Sequence, residues 1–193
     1  RNIRQVLHNC TLTEGLDIDK LPIIDVEFYF INLRARSVGE VVQNRYRCEN
    51  EVEEKVCGNL MDVELNVLEI QPDMTNVVDD VIQINDKISV KLKFPEFSIL
   101  ERANKFESVT DMAFDMIAES VEYIFDGEQY YYAAESEPDD IIEFIESLNQ
   151  DQFNKIENFF NNLPKLKETL DITCNKCGFQ HKIDVEGLES FFV

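Results

Sequence analysis

Cys174-Asn175-Lys176-Cys177-Gly178 is the segment of this chain best suited to chemistry. In a C-x-x-C-G turn two thiols point into one space, backbone amides can bond the first sulfur, and the glycine lets the chain fold back into a strand. Thiolates held this way are half of a tetrahedral zinc site. The spacing also allows a redox dithiol. A thioredoxin-type pair opens a helix after a strand, however, whereas this pair lies between two strand-like runs. Two ordinary buried cysteines are the bland alternative.

A closed structural site takes four ligands, so two more must come from elsewhere. Cys48 and Cys57 also lie between two strand-like runs, and Cys57-Gly58 repeats the Cys-Gly ending of the later turn. The residues between them, ENEVEEKV, are too polar for a core and read as a solvated bulge. The expected ligands are Cys48, Cys57, Cys174 and Cys177 around a structural Zn2+, with a set in which His181 replaces one cysteine as the alternative. The strand after Cys177 is expected to carry His181 away from the metal.

Arg45, Arg47, Lys55, Lys176 and Lys182 fall on the thiol-bearing segments, where cations would lower thiolate pKa values and offset the net negative charge of a zinc–tetrathiolate. A basic surface patch unrelated to metal is the alternative, and both can hold. Cys57 and Cys174 are 117 residues apart, so closing that loop opposes assembly by ~4 kcal/mol. Structural zinc binding, ~10–16 kcal/mol in small peptides, exceeds this. Four thiolates leave no position for a reactive water, so the site reads as a clamp and not as a catalyst.

The elements that must carry these cysteines follow from periodicity. VVQNRYRC (41–48) and NLMDVELNVLEI (59–70) read as two strands, the second alternating Asp62, Glu64 and Asn66 with Met61, Val63, Leu65 and Val67. TLDITC and FQHKIDV read as the strands around the later turn, with GLESFF as a terminal turn of helix. Upstream, Pro22 opens a helix that places Ile23, Ile24, Phe28, Ile31 and Leu33 near one face until Gly39 ends it. DKISVKLKFP (86–95) alternates as a strand stopped by Pro95. Ser108 caps a helix whose apolar spacing continues through Val121 and Ile124 to Asp126-Gly127. EQYYYAAES reads as a strand or extended loop. Pro138-Asp139 opens a further helix, and a short one covers about 151–162.

The fold class is therefore α+β: small antiparallel sheets with a four-cysteine zinc ribbon and a helical acidic region. Residues 1–20 show no clean periodicity and read as an arm. Residues 21–193 read as a single domain, with the ribbon built from about 41–70 and 168–185 and the acidic helical subdomain from about 96–165.

Composition bounds the function. The 193 residues carry 39 Asp plus Glu against 18 Lys plus Arg, a formal net charge of −21. Non-specific nucleic-acid binding is driven by Lys and Arg displacing counterions, which this balance disfavours. Hydrophobic content of 44% with 14 Phe argues against disorder. No apolar run approaches the length of a membrane-spanning helix. The expectation is a soluble, folded, acidic protein. Residues 106–154 hold 14 acidic residues and no Lys or Arg.

Other candidates are weaker. Asp79-Asp80, Asp139-Asp140 and Glu135/Glu137 lack the spacing of an EF-hand loop and read as solvated faces or helix N-termini. Tyr130-Tyr131-Tyr132 reads as a hairpin burying alternate tyrosines, with a binding surface as the alternative. Cys10 reads as a plain thiol. There is no glycine-rich phosphate loop.

LPIIDVEFYFINLRARSVGEVVQNRYRC, then CGN, KISVKLKFP, an acidic helical region and LPKLKETLDITCNKCGFQHKIDVEGLESFF follow one another along the chain. That order resembles the baseplate hub proteins of T4-like contractile-tailed bacteriophages, over about residues 20–193. LRARSVGE leading to a cysteine, and KLKFP, are the most specific pieces. The resemblance implies a non-enzymatic component or assembly factor of the tail baseplate, hub region. It implies other tail and baseplate proteins as partners, and neither nucleic acid, membrane nor small-molecule substrate. The expected location is the virion tail baseplate, or the host cytoplasm during assembly. The alternative is an acidic zinc-ribbon regulatory module that binds nucleic-acid machinery, which would need Arg34, Arg36, Arg45 and Arg47 to face a groove. A metal hydrolase would need an open coordination position.

Overall fold

The structure is a computed structural model that describes residues 2–102 and 108–192. The chain opens with α1 (Asn2–Cys10) and a 3-10 turn at Ile18–Lys20, then α2 (Ile23–Val38). Next come β1 (Val41–Arg47), β2 (Glu51–Val52), β3 (Lys55–Val56), β4 (Leu60–Asn66), β5 (Pro72–Asp73), β6 (Val81–Gln83) and β7 (Ser89–Leu92). Helices α3 (Ile99–Arg102) and α4 (Val109–Ser120) precede β8 (Val121–Phe125) and β9 (Tyr130–Tyr132). The chain closes with α5 (Pro138–Glu146), α6 (Gln150–Asn161), β10 (Lys165–Thr173), β11 (Gln180–Glu186) and α7 (Gly187–Phe191). The architecture is α+β with small antiparallel sheets. Two compact units divide the chain: Arg1–Ile23 with Met74–Leu163, and Ile24–Asp73 with Pro164–Val193.

The second unit is built mainly on two antiparallel sheets that share no strand. β1 pairs with β4 in the register Val42↔Leu65, Asn44↔Val63 and Tyr46↔Met61. The alternation expected of a half-buried strand is present, with Val42, Met61 and Leu65 turned inward. Strand β4 stops at Asn66, short of the expected 70, because the Asn66 side chain accepts from the Leu68 amide and turns the chain. β10 pairs with β11 and, at its start, with β5. In α2, Ile24, Val26, Ile31 and Ala35 are buried, while Phe28 and Leu33 are half-buried. The apolar face is thus rotated from the one expected. Gly39, at φ +129°, takes the chain out of the helix in a conformation that strains any residue with a Cβ. Asn44, fully buried, donates to the Phe191 carbonyl at 3.2 Å, tying β1 to α7.

The first unit packs a four-stranded sheet, in the order β6-β7-β8-β9, with helices. Its core is Ile84, Val90, Leu92, Ile117, Val121, Ile124, Ile141, Ile145, Ile156 and Phe159. The Ser108 hydroxyl accepts from the Asp111 amide and caps α4 as expected. The helix does not run to Asp126, however: it ends at Ser120, and Val121–Phe125 form β8. The spacing of Ile117, Val121 and Ile124 suits either element. Pairing of Val121 with Leu92 and of Ile124 with both Val90 and Tyr131 decides for a strand. Pro138 occupies the first turn of α5, with Asp139 and Asp140 at its positive end. Residues 1–20 carry α1, and Leu7 and Ile18 in this stretch are fully buried. Of the expected helical acidic stretch, residues 103–107 lie outside the described residues.

Candidate metal centre

All four cysteines singled out lie in the second unit, each at the end of a strand or in the turn beyond it. The first turn begins where β1 ends. The Cys48 amide donates to the Asn59 carbonyl at 2.8 Å, and the Gly58 amide donates to the Cys48 carbonyl at 3.0 Å. The Cys57 amide donates to the Asn50 carbonyl at 2.8 Å. These bonds pinch the loop at its base, so the polar insert must leave as a separate hairpin, β2 with β3. Its tip places Glu53 and Glu54 at φ 50° and 64°.

The second turn is tighter. The Gly178 amide donates to the Cys174 carbonyl and the Cys174 amide to the Phe179 carbonyl, both at 2.8 Å. Gly178 sits at φ +74° with nothing within 4 Å of where a Cβ would lie, so the demand for glycine there is conformational and not steric.

The two turns bring four sulfurs together. Cys48 Sγ lies 3.6 Å from Cys177 Sγ, and Cys57 Sγ lies 3.9 Å from Cys174 Sγ. All four sulfurs are within 4.8 Å of one another. A tetrahedron with Zn–S bonds of about 2.3 Å has edges of about 3.8 Å, so the observed spacing fits a four-thiolate zinc centre. Cys48 and Cys174 are buried, Cys57 and Cys177 half-buried.

Electrostatics separate the sulfurs. The backbone amides of Cys177 and Lys176 bring the Cys174 thiol down to about 6, which favours its thiolate. Burial pushes the Cys48 thiol up to about 12 without a metal. A cation at the centre would invert that preference, because a coordinated thiol gives up its proton.

Three polar side chains at the sulfurs were not singled out in this role from sequence. Asn59 Nδ2 donates to Cys174 Sγ at 3.6 Å, and also to Asn175 Oδ1 at 2.7 Å. Asn50 Nδ2 donates to Cys177 Sγ at 3.7 Å. His181 was expected to be carried away from the site. Its Nε2 instead lies 3.2 Å from Cys48 Sγ, with its ring edge-on to Phe179. Strand β11 does lead away from its own turn, but His181 folds back onto a sulfur of the other hairpin. Its distance from that sulfur depends on how the hairpins face each other.

The cations are less focused on the sulfurs than their sequence clustering suggested. Lys176 Nζ donates to the Cys57 carbonyl at 3.3 Å. Arg45 pairs with Asp62 at 2.5 Å and Lys182 with Asp171 at 3.8 Å. Arg34 donates to the Gly39 carbonyl and lies 5.3 Å above the Phe192 ring. Two of the four arginines that a nucleic-acid groove would need thus have local partners. Cys10 is exposed and outside the cluster. Asp80 pairs with Lys91 at 2.9 Å, and Asp79 accepts from the Val81 amide.

A family model described as T4 bacteriophage base plate protein matches residues 1–193. No curated protein and no solved structure matches the chain.

Proposed function

We propose a hub-region role in the phage tail baseplate for this protein, since the chain belongs to the T4 bacteriophage base plate protein family over residues 1–193. In this reading it is a non-enzymatic component or assembly factor, held together by one structural zinc on Cys48, Cys57, Cys174 and Cys177. It works in the virion tail, or in the host cytoplasm while tails assemble. The observation that carries the zinc is the convergence of four sulfurs, contributed by two sheets with no strand in common, at tetrahedral spacing. The apolar cluster around these turns is small, with three buried members among the described residues, Cys48, Met61 and Cys174.

When bound, the zinc supplies a cross-link and no reaction step. The chain's own groups do the preparation. The Cys177 and Lys176 amides hold Cys174 ready as a thiolate. Asn50 and Asn59 direct amide hydrogens at the sulfurs, which disperses thiolate charge, and the His181 ring against Cys48 helps to orient that ligand. The ribbon acts as the clamp. The acidic stretch of about 96–165 presents the surface that other tail proteins meet, with charge complementarity setting selectivity and on-rate.

Metal analysis of the purified protein is expected to find about one zinc per chain, the number one closed four-ligand site takes. Isolated tails are expected to contain the protein, or assembling lysates to hold it bound to hub proteins. Recovery only as a free monomer from lysates in which tails assemble would overturn the baseplate role.

A further inference from the structure

Tyr130-Tyr131-Tyr132 has an unusual setting in the structure. Among the described residues, strand β9 is the outer strand of its sheet and pairs only with β8. Tyr130, Tyr131 and Tyr132 are 53%, 42% and 47% exposed, so the expected burial of alternate tyrosines does not occur. On one face the register sets Phe125 opposite Tyr130 and Tyr123 opposite Tyr132. The rings form a continuous cluster: Phe125–Tyr130 at 4.7 Å, Tyr123–Tyr130 at 5.1 Å and Tyr123–Tyr132 at 6.0 Å.

We propose that β9 is a docking strand for an extended Lys/Arg-bearing segment of another tail protein, which adds to the sheet edge and lays its cations over this tyrosine cluster. The proposal rests on the interaction role above and names the surface that carries it.

The backbone is available. At the hairpin, the Asp126 amide donates to the Gln129 carbonyl. Antiparallel alternation then turns the Tyr131 amide and carbonyl towards Ile124, and those of Tyr130 and Tyr132 outwards. The Tyr132 carbonyl accepts from Ser136 Oγ at 3.0 Å. Among the described residues, the two outward amides and the Tyr130 carbonyl have no partner and remain for an added strand, the arrangement that β-augmentation uses.

Charge selects the partner. Proteins commonly blunt an edge strand with Lys or Pro, yet residues 106–154 contain neither Lys nor Arg. Glu122, Asp126 and Glu128 flank the aromatic cluster along the chain. Asp126 is held ionised by the Glu128 and Gln129 amides and the Tyr131 hydroxyl. Of the cations on the adjoining strand and turn, Lys91 is paired with Asp80, and Lys87 abuts Gly127 at the hairpin. Tyrosine faces attract Lys and Arg, and carboxylates beside them add to that attraction. A second copy would bring the same acidic hairpin against itself, which disfavours self-pairing.

The test uses purified full-length protein and fluorescein-labelled peptides, (Lys-Val)4 and (Glu-Val)4, with binding read by anisotropy at low salt. A chain of net charge −21 attracts any polycation, so the decisive quantity is the ratio between wild type and variants. Tyr132 has φ −81°, which proline accepts; Tyr132→Pro therefore removes one outward amide, together with the ring beside Tyr123, and leaves the backbone pairing of Tyr131 with Ile124. This variant, and Tyr130→Ala separately, are expected to weaken the basic peptide at least tenfold with unchanged circular dichroism, while the acidic peptide does not bind. Equal affinity in wild type and variants would overturn the proposal. So would a concentration-dependent dimer that either variant abolishes, since a second copy would then be the occupant. Peptide binding is measured apart from tails, so its failure is distinguishable from absence of the protein from tails.

Discussion

Replacing Cys177 by serine tests the clamp most directly. Serine keeps the size of the side chain but removes a thiolate from a four-sulfur centre, and zinc should be lost. The energetic consequence follows from topology. Holding Cys57 against Cys174, 117 residues later, closes a loop at a cost of ~4 kcal/mol, which without zinc the centre no longer offsets. At about 1.4 kcal/mol per decade, hydrogen-exchange protection in β1, β4, β10 and β11 should fall about a thousandfold. The effect should be confined. The core around Val90, Ile124, Ile145 and Phe159 contains none of the four cysteines, so β7 and β8 should exchange as in the parent. Exchange mass spectrometry with peptide resolution, on the variant and on chelator-treated wild type, reads both halves at once. Loss of protection below tenfold in the ribbon strands, or equal loss in both units, would refute the reasoning.

Three further outcomes follow from particular contacts. His181→Phe keeps a ring beside Phe179 but removes the contact with Cys48; zinc affinity measured against a competing chelator should fall about tenfold, and an unchanged affinity would show that the contact does not support the site. Glu53 and Glu54 both occupy the left-handed region that Asn and Gly adopt readily. Glu53→Asn with Glu54→Gly should stabilise the protein by ~1–2 kcal/mol in urea titrations, and no gain would mean that the parent tip is unstrained. Glu27, whose carboxyl is pushed up by burial and by Glu186 despite the Leu188 amide it accepts from, favours the fold in its protonated form. Its contribution is therefore present below the ordinary carboxylate value and lost as pH rises through the elevated one. Glu27→Gln should be more stable than the parent at pH 7 and lose that advantage near pH 4, by thermal melts; an advantage independent of pH would exclude titration as its source.

The signals that held are the local ones. Ser108 caps α4 because a hydroxyl one turn from an amide needs no distant partner. Pro138 starts α5 for an equally local reason. Alternation announced β4 and β7, since a half-buried strand writes its period into a few consecutive residues. Where two periods fit the same residues, local reading failed: Val121 and Ile124 satisfy a helix, and only their partners on β7 and β9 make them a strand. Leu7 and Ile18 gave no warning of their burial, because isolated apolar residues in a short, polar segment define no period.

The same division runs through the four-cysteine cluster. Chemical type and turn geometry are properties of a few adjacent residues, so CNKCG and Cys57-Gly58 mark three of the four sulfurs along the chain, and the end of a strand-like run marks Cys48. Which side chains from the opposite hairpin reach each sulfur, with His181 against Cys48 and Asn59 against Cys174, depends on how two separately formed turns meet. Contacts between residues more than a hundred positions apart are set by that docking and leave no spacing in the chain. For the tyrosines, sequence supplied three aromatic rings and an acidic neighbourhood. Only the sheet order, which leaves β9 outermost, turned them to solvent.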